Sequence, residues 1–241
     1  MLSAALFGGA IFGGILVCLV LGRVAAKRRL RDDPEHAREG ATAIETAVFG
    51  VMGLFLAFTF SGALQRWDVR RELVVLETNA IGTAWLRIDL LPTAAQPPMR
   101  ELFRKYLDER VAMYAAMPDV FAAMSARQRA ETLQGEIWKA AIADCLTAEG
   151  EKARILLLPA LNEMFDITTT RNMGLLTHPP AVIYVLLFIL LLISAGMVGA
   201  ATSGSRKLSF GYALGFALVM AITSYVIIDL EYPRAGLIRV I

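Results

Sequence analysis

Residues 46–65 read TAVFGVMGLFLAFTFSGALQ, and residues 66–91 continue as RWDVRRELVVLETNAIGTAWLRIDLL with no proline. The first stretch contains no charged residue, and about 20 helical residues at 1.5 Å each cross the ~30 Å hydrocarbon core of a bilayer. The second stretch is rich in charge and has no helix breaker at its start. We therefore predict one long helix that leaves the membrane and extends into an aqueous domain.

Three further stretches lack charged residues, namely 1–22, 172–205 and 208–228. The stretch 172–205 is too long for one crossing, so we expect Pro179-Pro180 to open a membrane helix over roughly residues 181–202. We interpret the first as an anchor rather than a signal peptide, because it lacks a basic start and its apolar stretch is long. Hydrophobic residues make up 56% of the chain, which also favours an integral membrane protein. The sequence predicts four membrane spans.

The charges are concentrated between the second and third spans. Residues 66–171 hold 14 of the 24 basic and 15 of the 22 acidic residues. Leu102, Phe103, Tyr106 and Leu107 recur at helical steps, and no alternating pattern indicates a strand. We predict an all-α fold with four transmembrane helices and a helical extramembrane domain between spans two and three. The expected domains are 1–65, 66–178 and 179–241, with helices of the middle domain near 66–91, 99–116, 119–147 and 151–171.

Several classes of function are disfavoured by composition. The formal net charge is only +2 and no basic tract is interleaved with aromatic residues, so we expect no nucleic-acid partner. Two cysteines and two histidines provide no metal-ligand spacing, so no metal site or cofactor is predicted. No GxGxxG, P-loop, GxSxG or HExxH motif occurs, and we assign no catalytic residue. We expect a protein that is not an enzyme.

The second span carries the strongest candidate for a functional surface. Leu54, Phe58, Ser61 and Gln65 fall on one helical stripe, so Leu54 and Phe58 are candidates for a hydrophobic pore constriction that opens onto polar residues. The alternative is that Leu54 and Phe58 face lipid or the protein core. Small residues that would allow close helix packing occur beside this stripe and in the first span, at Gly50, Gly53, Gly9 and Gly13.

A group of charged residues follows the second span. Arg66, Arg70 and Glu77 share a helix face just outside the membrane. Repeated around a symmetry axis, arginines would favour anions and glutamates would favour cations at the pore vestibule. The alternative is a solvated ion-pair face whose arginines extend to the membrane interface.

Parts of the sequence resemble a known family. Arg66, Trp67, Arg71 and Leu73 are similar to the end of the second membrane helix of bestrophin ion channels. The segment after span four, with its Asp229, Glu231, Pro233 and Gly236, resembles the acidic-Pro-Gly segment that follows the last bestrophin helix. The similarity to the bacterial bestrophin-like domain family is closer and extends through Glu77, Asn79, Gly82, Leu86 and Arg87.

This resemblance implies a multi-pass protein of the bacterial inner membrane that forms a cyclic homo-oligomer, a pentamer, and conducts small ions. Its partners would be copies of itself and the lipid bilayer. A slight preference for anions is expected from the charges after span two, where Arg66, Arg70 and Arg71 outnumber Asp68 and Glu72. A non-conducting scaffold or sensor whose helical domain binds a partner is the alternative. Calcium gating is not expected, because Asp229 and Glu231 supply few of the 6–8 oxygens that calcium requires.

The resemblance also implies a cytoplasmic helical domain. The distribution of Lys and Arg near the span ends favours the opposite orientation, with eight residues on one side and six on the side of the helical domain. The eight are Arg23, Lys27, Arg28, Arg29, Arg31, Arg38, Arg206 and Lys207, and the six are Arg66, Arg70, Arg71, Arg171, Arg234 and Arg239.

Overall fold

The computed structural model describes residues 2–32, 41–117, 119–147, 149–204, 209–232 and 238. These residues form α-helices joined by short connections and contain no β-strand, which confirms the predicted all-α fold. The helices are α1 (Leu2–Asp32), α2 (Ala41–Arg87), α3 (Gln96–Ala115), α4 (Val120–Cys145), α5 (Glu151–Leu176), α6 (Ala181–Ala201) and α7 (Ser209–Glu231). Short 3₁₀ helices follow α2 at Ile88–Leu90 and α6 at Thr202–Gly204.

The helix ends reflect local sequence chemistry. Helix α4 begins after Asp119, whose carboxylate accepts a 3.0 Å hydrogen bond from the backbone amide of Ala122, as expected for an N-cap. Pro180 is the N-cap of α6, so the double proline opens the third span as predicted. Helix α2 continues for 47 residues without interruption, in agreement with the predicted long helix.

Among the described residues, four helical stretches are long and apolar enough to cross a membrane. They lie within Gly8–Arg29, Thr42–Leu90, Glu151–Gly204 and Gly211–Glu231. The prediction of four spans is therefore confirmed, and the apolar windows account for α1, the first part of α2, α6 and α7.

The chain divides into two compact units. The membrane unit comprises Met1–Trp67 and His178–Ile241, and the helical unit comprises Asp68–Thr177. In the membrane unit, one buried cluster joins α1, α6 and α7 and a second joins α2, α6 and α7. Their buried members include Ile15, Leu191 and Ala217 in the first cluster and Met52, Leu56, Ala63, Leu187 and Ile227 in the second.

Helices α1 and α6 approach so closely that only glycine fits between them. A Cβ atom on Gly22 would lie 2.0 Å from the carbonyl oxygen of Gly196, and one on Gly199 would lie 2.0 Å from the carbonyl oxygen of Leu19. Small residues permit this backbone contact between membrane helices. Gly22 and Gly199 were not among the glycines predicted to pack, because small-residue spacing alone does not identify the partner helix.

The glycines selected from the sequence lie elsewhere. A Cβ atom on Gly9, Gly13, Gly50 or Gly53 would meet nothing within 4 Å among the residues that are described. These four positions therefore make no close helix contact inside the described protomer. Their role in packing between copies of the chain stays a prediction.

The helical unit has its own hydrophobic core. Phe103 and Tyr106 of α3 are buried with Ile137 of α4 and with Leu157 and Leu161 of α5. Ala84 at the end of α2 and Ile88 in the following turn belong to the same cluster. This core fixes the last part of α2 against α3, α4 and α5.

Candidate functional site

One face of α2 is exposed along the membrane unit. Leu54 is 58% and Phe58 is 67% exposed, and Ser61 and Gln65 on the same stripe are also exposed. The neighbouring small-residue positions Gly50, Gly53 and Ala57 are exposed as well. The predicted stripe is therefore accessible in the protomer and available to a pore, a second copy or lipid.

The composition of this face differs from that of the other membrane helices. Exposed positions of α6 and α7 are mainly large and aliphatic, as expected for lipid contact. They include Val182, Val185, Leu186, Ile189, Leu192 and Ile193 of α6, and Leu214, Leu218, Val219 and Ile222 of α7. The exposed face of α2 instead intersperses its apolar side chains, Val51, Leu54, Phe58 and Leu64, with glycine, alanine, serine and glutamine.

Arg66, at the end of the membrane portion of α2, binds a fully buried carboxylate. Its Nε atom donates to Oε1 and Oε2 of Glu231 at 3.0 and 2.9 Å, and its Nη2 atom lies 2.9 Å from Oε2. Nδ1 of His178 lies 3.2 Å from Oε1 of the same carboxylate, and the imidazole stacks on Tyr232 with ring centroids 4.6 Å apart. This cluster joins α2, α7 and the segment before α6.

The other residues of the segment after span four are partly described. Asp229 is buried, and its carboxylate accepts a 2.8 Å hydrogen bond from the backbone amide of Ile238. Ile238 also packs against the apolar cluster that contains Met52. Pro233 and Gly236 lie outside the described residues.

Arg70 is directed to backbone carbonyls in the helical unit. The side chain is buried and donates to the carbonyl oxygens of Gly174 at 3.3 Å and Thr177 at 3.0 Å. These carbonyls belong to the C-terminal end of α5, where a cation satisfies carbonyl groups that lack helical partners.

Glu77 is the centre of a buried polar cluster in the helical unit. Its Oε1 atom accepts hydrogen bonds from Nε and Nη2 of Arg110 at 2.7 and 2.6 Å, and its Oε2 atom pairs with Arg171. Arg110 also donates to Tyr114 at 2.9 Å, and the guanidinium of Arg171 lies 3.9 Å from the ring centre of Tyr114. Thr168 contacts the same Oε1 atom at 3.5 Å.

Tyr106 extends this cluster towards α4. Its hydroxyl lies 2.9 Å from that of Thr168 and accepts a 3.3 Å hydrogen bond from the amide of Gln134. Burial raises the pKa of the Tyr106 phenol above its ordinary value, although the hydrogen bond with Thr168 opposes the shift. The phenol therefore stays neutral and serves as a hydrogen-bonding link between α3, α4 and α5.

The residues predicted from the sequence to line or flank a pore are either exposed on α2 or bound to other parts of the protein. Leu54, Phe58, Ser61 and Gln65 are exposed on α2. Arg66 binds within the membrane unit, whereas Arg70 and Glu77 bind within the helical unit. Sequence reasoning missed the partners Arg110, Arg171 and His178, and no spacing in the sequence connects these residues with Glu77 or Glu231.

Metal-ligating side chains do not converge in the described part of the chain. No group of three or more His, Cys, Asp or Glu residues placed to hold a metal ion is found among those residues. Cys145 is buried, and burial raises the pKa of its thiol.

The similarity to known proteins agrees with the membrane architecture. The family model of the bestrophin-like domain matches residues 10–241, which is nearly the whole chain. No curated protein and no solved structure matches the chain. With four described helices long and apolar enough to cross a membrane and a family match of this extent, the chain belongs to the bestrophin-like domain family and is a multi-pass membrane protein.

Proposed function

We propose that this chain is the subunit of a homo-oligomeric membrane channel for small ions, in which α2 lines the pore and Leu54 and Phe58 form a hydrophobic constriction. The observation that carries this proposal is the exposed face of α2, which is bulky and apolar at these two positions and polar at Ser61 and Gln65. Hydrophobic constrictions gate by dewetting, and polar residues beside them support a water-filled vestibule. The role is transport rather than enzymatic catalysis.

Assembly from several copies follows from the same geometry. A single protomer leaves the stripe of α2 exposed, so a pore lined by α2 requires repetition of the chain around an axis. Gly50 and Gly53 have open space beside them and would permit close approach of a neighbouring helix. The family resemblance favours a pentamer.

The preferred sign of the ion depends on which charges remain exposed. The anion preference expected from the sequence relied on Arg66, Arg70 and Arg71. Arg66 binds Glu231 and Arg70 is buried against carbonyls. Arg71 is exposed but lies about 120° around α2 from Gln65. By helical spacing, the exposed residues that follow Gln65 on its stripe are Asp68 and Glu72. We therefore expect a weak preference for cations rather than anions.

A second candidate function is a non-conducting scaffold or sensor that binds a partner through its helical unit. The observation that favours it is a group of exposed apolar side chains near the start of α4, where Phe121 is 86% and Met124 is 64% exposed. Exposed apolar groups of this size are typical of interaction sites. Ion flux distinguishes this function from the channel.

Flux through reconstituted protein tests the channel. We expect Leu54→Ala and Phe58→Ala to raise ion efflux from liposomes, because smaller side chains widen and hydrate the constriction. Leu218→Ala is the matched control, since Leu218 is 51% exposed on α7, outside the proposed pore. If all four proteins are silent, or if both α2 variants conduct like the parent, the stripe does not line a pore.

The location we propose is the bacterial inner membrane, with residues 66–178 forming an extramembrane domain on the cytoplasmic side. This orientation relies on the family resemblance and opposes the eight-to-six distribution of basic residues. A cysteine introduced at Ser125 of α4 tests it, because Ser125 is exposed in the helical unit. If an impermeant thiol reagent labels Ser125→Cys in intact cells, the helical domain lies on the outer side of the membrane and the proposed orientation is wrong.

A further inference from the structure

We infer that Glu231 acts as a clamp that fixes the rotation of α2 within the membrane unit. The Glu231 clamp consists of Arg66, His178 and Glu231. By fixing this rotation, the clamp determines which face of α2 is presented by the protomer. The clamp itself does not rest on the proposed channel function, whereas its test through water access and its consequence for ion flux do.

The clamp has the geometry of a directional contact. Arg66 binds both carboxylate oxygens of Glu231, and Glu231 is fully buried. A guanidinium and a carboxylate that pair through two oxygens restrict their mutual orientation, which gives geometric specificity in addition to energy. His178 contacts the same carboxylate and is held by stacking on Tyr232.

Gly62 provides the space in which the Arg66 side chain lies. A Cβ atom on Gly62 would come within 3.2 Å of Nη1 of Arg66. Gly50 and Gly53 on the same helix would meet nothing within 4 Å in the described protomer. The absence of a side chain at Gly62, one turn before Arg66, therefore accommodates the guanidinium along the helix.

The position of Arg66 on α2 relates the clamp to the exposed face. At about 100° per residue, Arg66 lies within roughly 60° of Met52 and Ala63 on the buried face of the helix. It lies about 80–120° around the axis from Phe58 and Leu54. Fixing the direction of Arg66 consequently fixes the direction in which the exposed stripe points.

Apolar packing alone constrains this rotation weakly. The other contacts of α2 in the membrane unit include Met52, Leu56 and Ala63 against Leu187 and Ile227. Hydrophobic contacts are non-directional, whereas a paired guanidinium and carboxylate are directional. Burying an ionisable side chain in a membrane segment costs free energy, so such residues usually have a specific function. Fixing the rotation of α2 is a function that the contacts among Arg66, His178 and Glu231 can perform.

The accessibility of a cysteine at Ser61 measures the rotation directly. We would introduce Ser61→Cys with Cys18→Ser and Cys145→Ser, reconstitute the full chain in liposomes, and measure its labelling rate with an impermeant thiol reagent. Ser61 is on the exposed stripe, which would face water in the proposed channel, so a rotation of α2 changes its access to the reagent. We expect Arg66→Met combined with Glu231→Leu to change the labelling rate several-fold.

The double variant separates positioning from stability. Glu231 is fully buried and Arg66 is only 29% exposed, and replacing both members of a largely buried ion pair by apolar residues is often neutral or stabilising. The unfolding temperature should therefore stay near that of the parent while the labelling rate changes. Arg66→Lys keeps the charge but loses the fork of the guanidinium, and should give an intermediate labelling rate. It also provides a second test if the double variant does not fold.

An exposed ion pair provides the control. Arg127→Gln with Glu131→Gln removes a solvent-exposed pair on α4 and should leave the labelling rate unchanged. Parental labelling of Ser61→Cys in a folded clamp variant would overturn the inference. The clamp and the channel can also be separated. If the clamp variant changes the labelling rate while the parent, Leu54→Ala and Phe58→Ala all conduct no ions, the clamp is supported and the channel is refuted.

Discussion

Glu77 and Arg110 form a buried ion pair in the helical unit, with the side chains only 2% and 3% exposed. Two guanidinium nitrogens of Arg110 donate to the same carboxylate oxygen at 2.7 and 2.6 Å. Arg171 pairs with the second oxygen, so one buried carboxylate is shared by two arginines. The pair joins α2 to α3, and Arg171 adds α5.

Removing the carboxylate should strongly destabilise the protein. Glu77→Gln would leave the charge of buried Arg110 without its counterion, and we expect the free energy of unfolding to fall by about 3–5 kcal/mol. Denaturant unfolding of the full chain in detergent measures this difference. Glu131→Gln is the control, because its exposed pair with Arg127 should contribute at most about 1 kcal/mol. Equal losses for the two variants would contradict a structural role for Glu77.

Alkaline pH should destabilise the helical unit through Tyr106. Burial raises the pKa of this phenol in the folded state, so above about pH 10 the unfolded state loses its proton first. The stabilisation is complete below the unfolded pKa and is lost as the pH rises towards the folded pKa. Unfolding temperatures measured between pH 9 and pH 11 should fall less steeply for Tyr106→Phe than for the parent. Parallel curves would show that Tyr106 does not contribute.

The crossing of α1 and α6 should not tolerate a side chain. Gly22→Ala and Gly199→Ala place a methyl group against backbone atoms that cannot rotate away, so the helices must separate. Overpacking of this kind costs about 1–3 kcal/mol. Thermal unfolding in detergent should show the loss, and Gly211→Ala on α7 is the control because its Cβ would meet nothing within 4 Å. A parental unfolding temperature for Gly199→Ala would argue against this crossing.

The glycines on the exposed face of α2 should affect assembly instead. We expect native mass spectrometry in mild detergent to show a cyclic homo-oligomer for the parent, with a pentamer favoured by resemblance. Gly50→Leu with Gly53→Leu should lower the oligomeric fraction without unfolding the protomer, because both positions are open within it. A parent that is only monomeric would refute the assembly, and unchanged oligomers in the double variant would exclude this face as the contact.

Ion selectivity should respond to the acidic residues that follow Gln65. Neutralising Asp68→Asn together with Glu72→Gln removes two exposed negative charges per protomer, so reversal potentials in a salt gradient should shift towards anions. Neutralising Glu136→Gln on α4 is the control and should leave the potential unchanged. A shift towards cations, or no shift, would exclude Asp68 and Glu72 from the vestibule.

Local sequence was sufficient for the helices and spans. Stretches of about 20 apolar residues cross a bilayer as helices, because a helix satisfies every backbone polar group within its own segment. Pro180 and Asp119 are the N-caps of α6 and α4, and an N-cap affects only the first turn of its own helix. The starts of these two helices could therefore be predicted from neighbouring residues. Helical spacing also predicted that Leu54 and Phe58 share one stripe of α2, but it could not predict that this stripe is exposed in the protomer.

Tertiary structure alone decided which charged residues meet. Arg66 and Glu231 are 165 positions apart, and Glu77 and Arg110 are 33 apart, so no spacing in the sequence relates them. Their pairing depends on the rotation and crossing of separate helices, which the apolar pattern specifies only loosely because hydrophobic contacts are non-directional. For the same reason, the sequence showed that glycines are abundant in the spans, but only the packing of α1 on α6 distinguished Gly22 and Gly199 from Gly9 and Gly13.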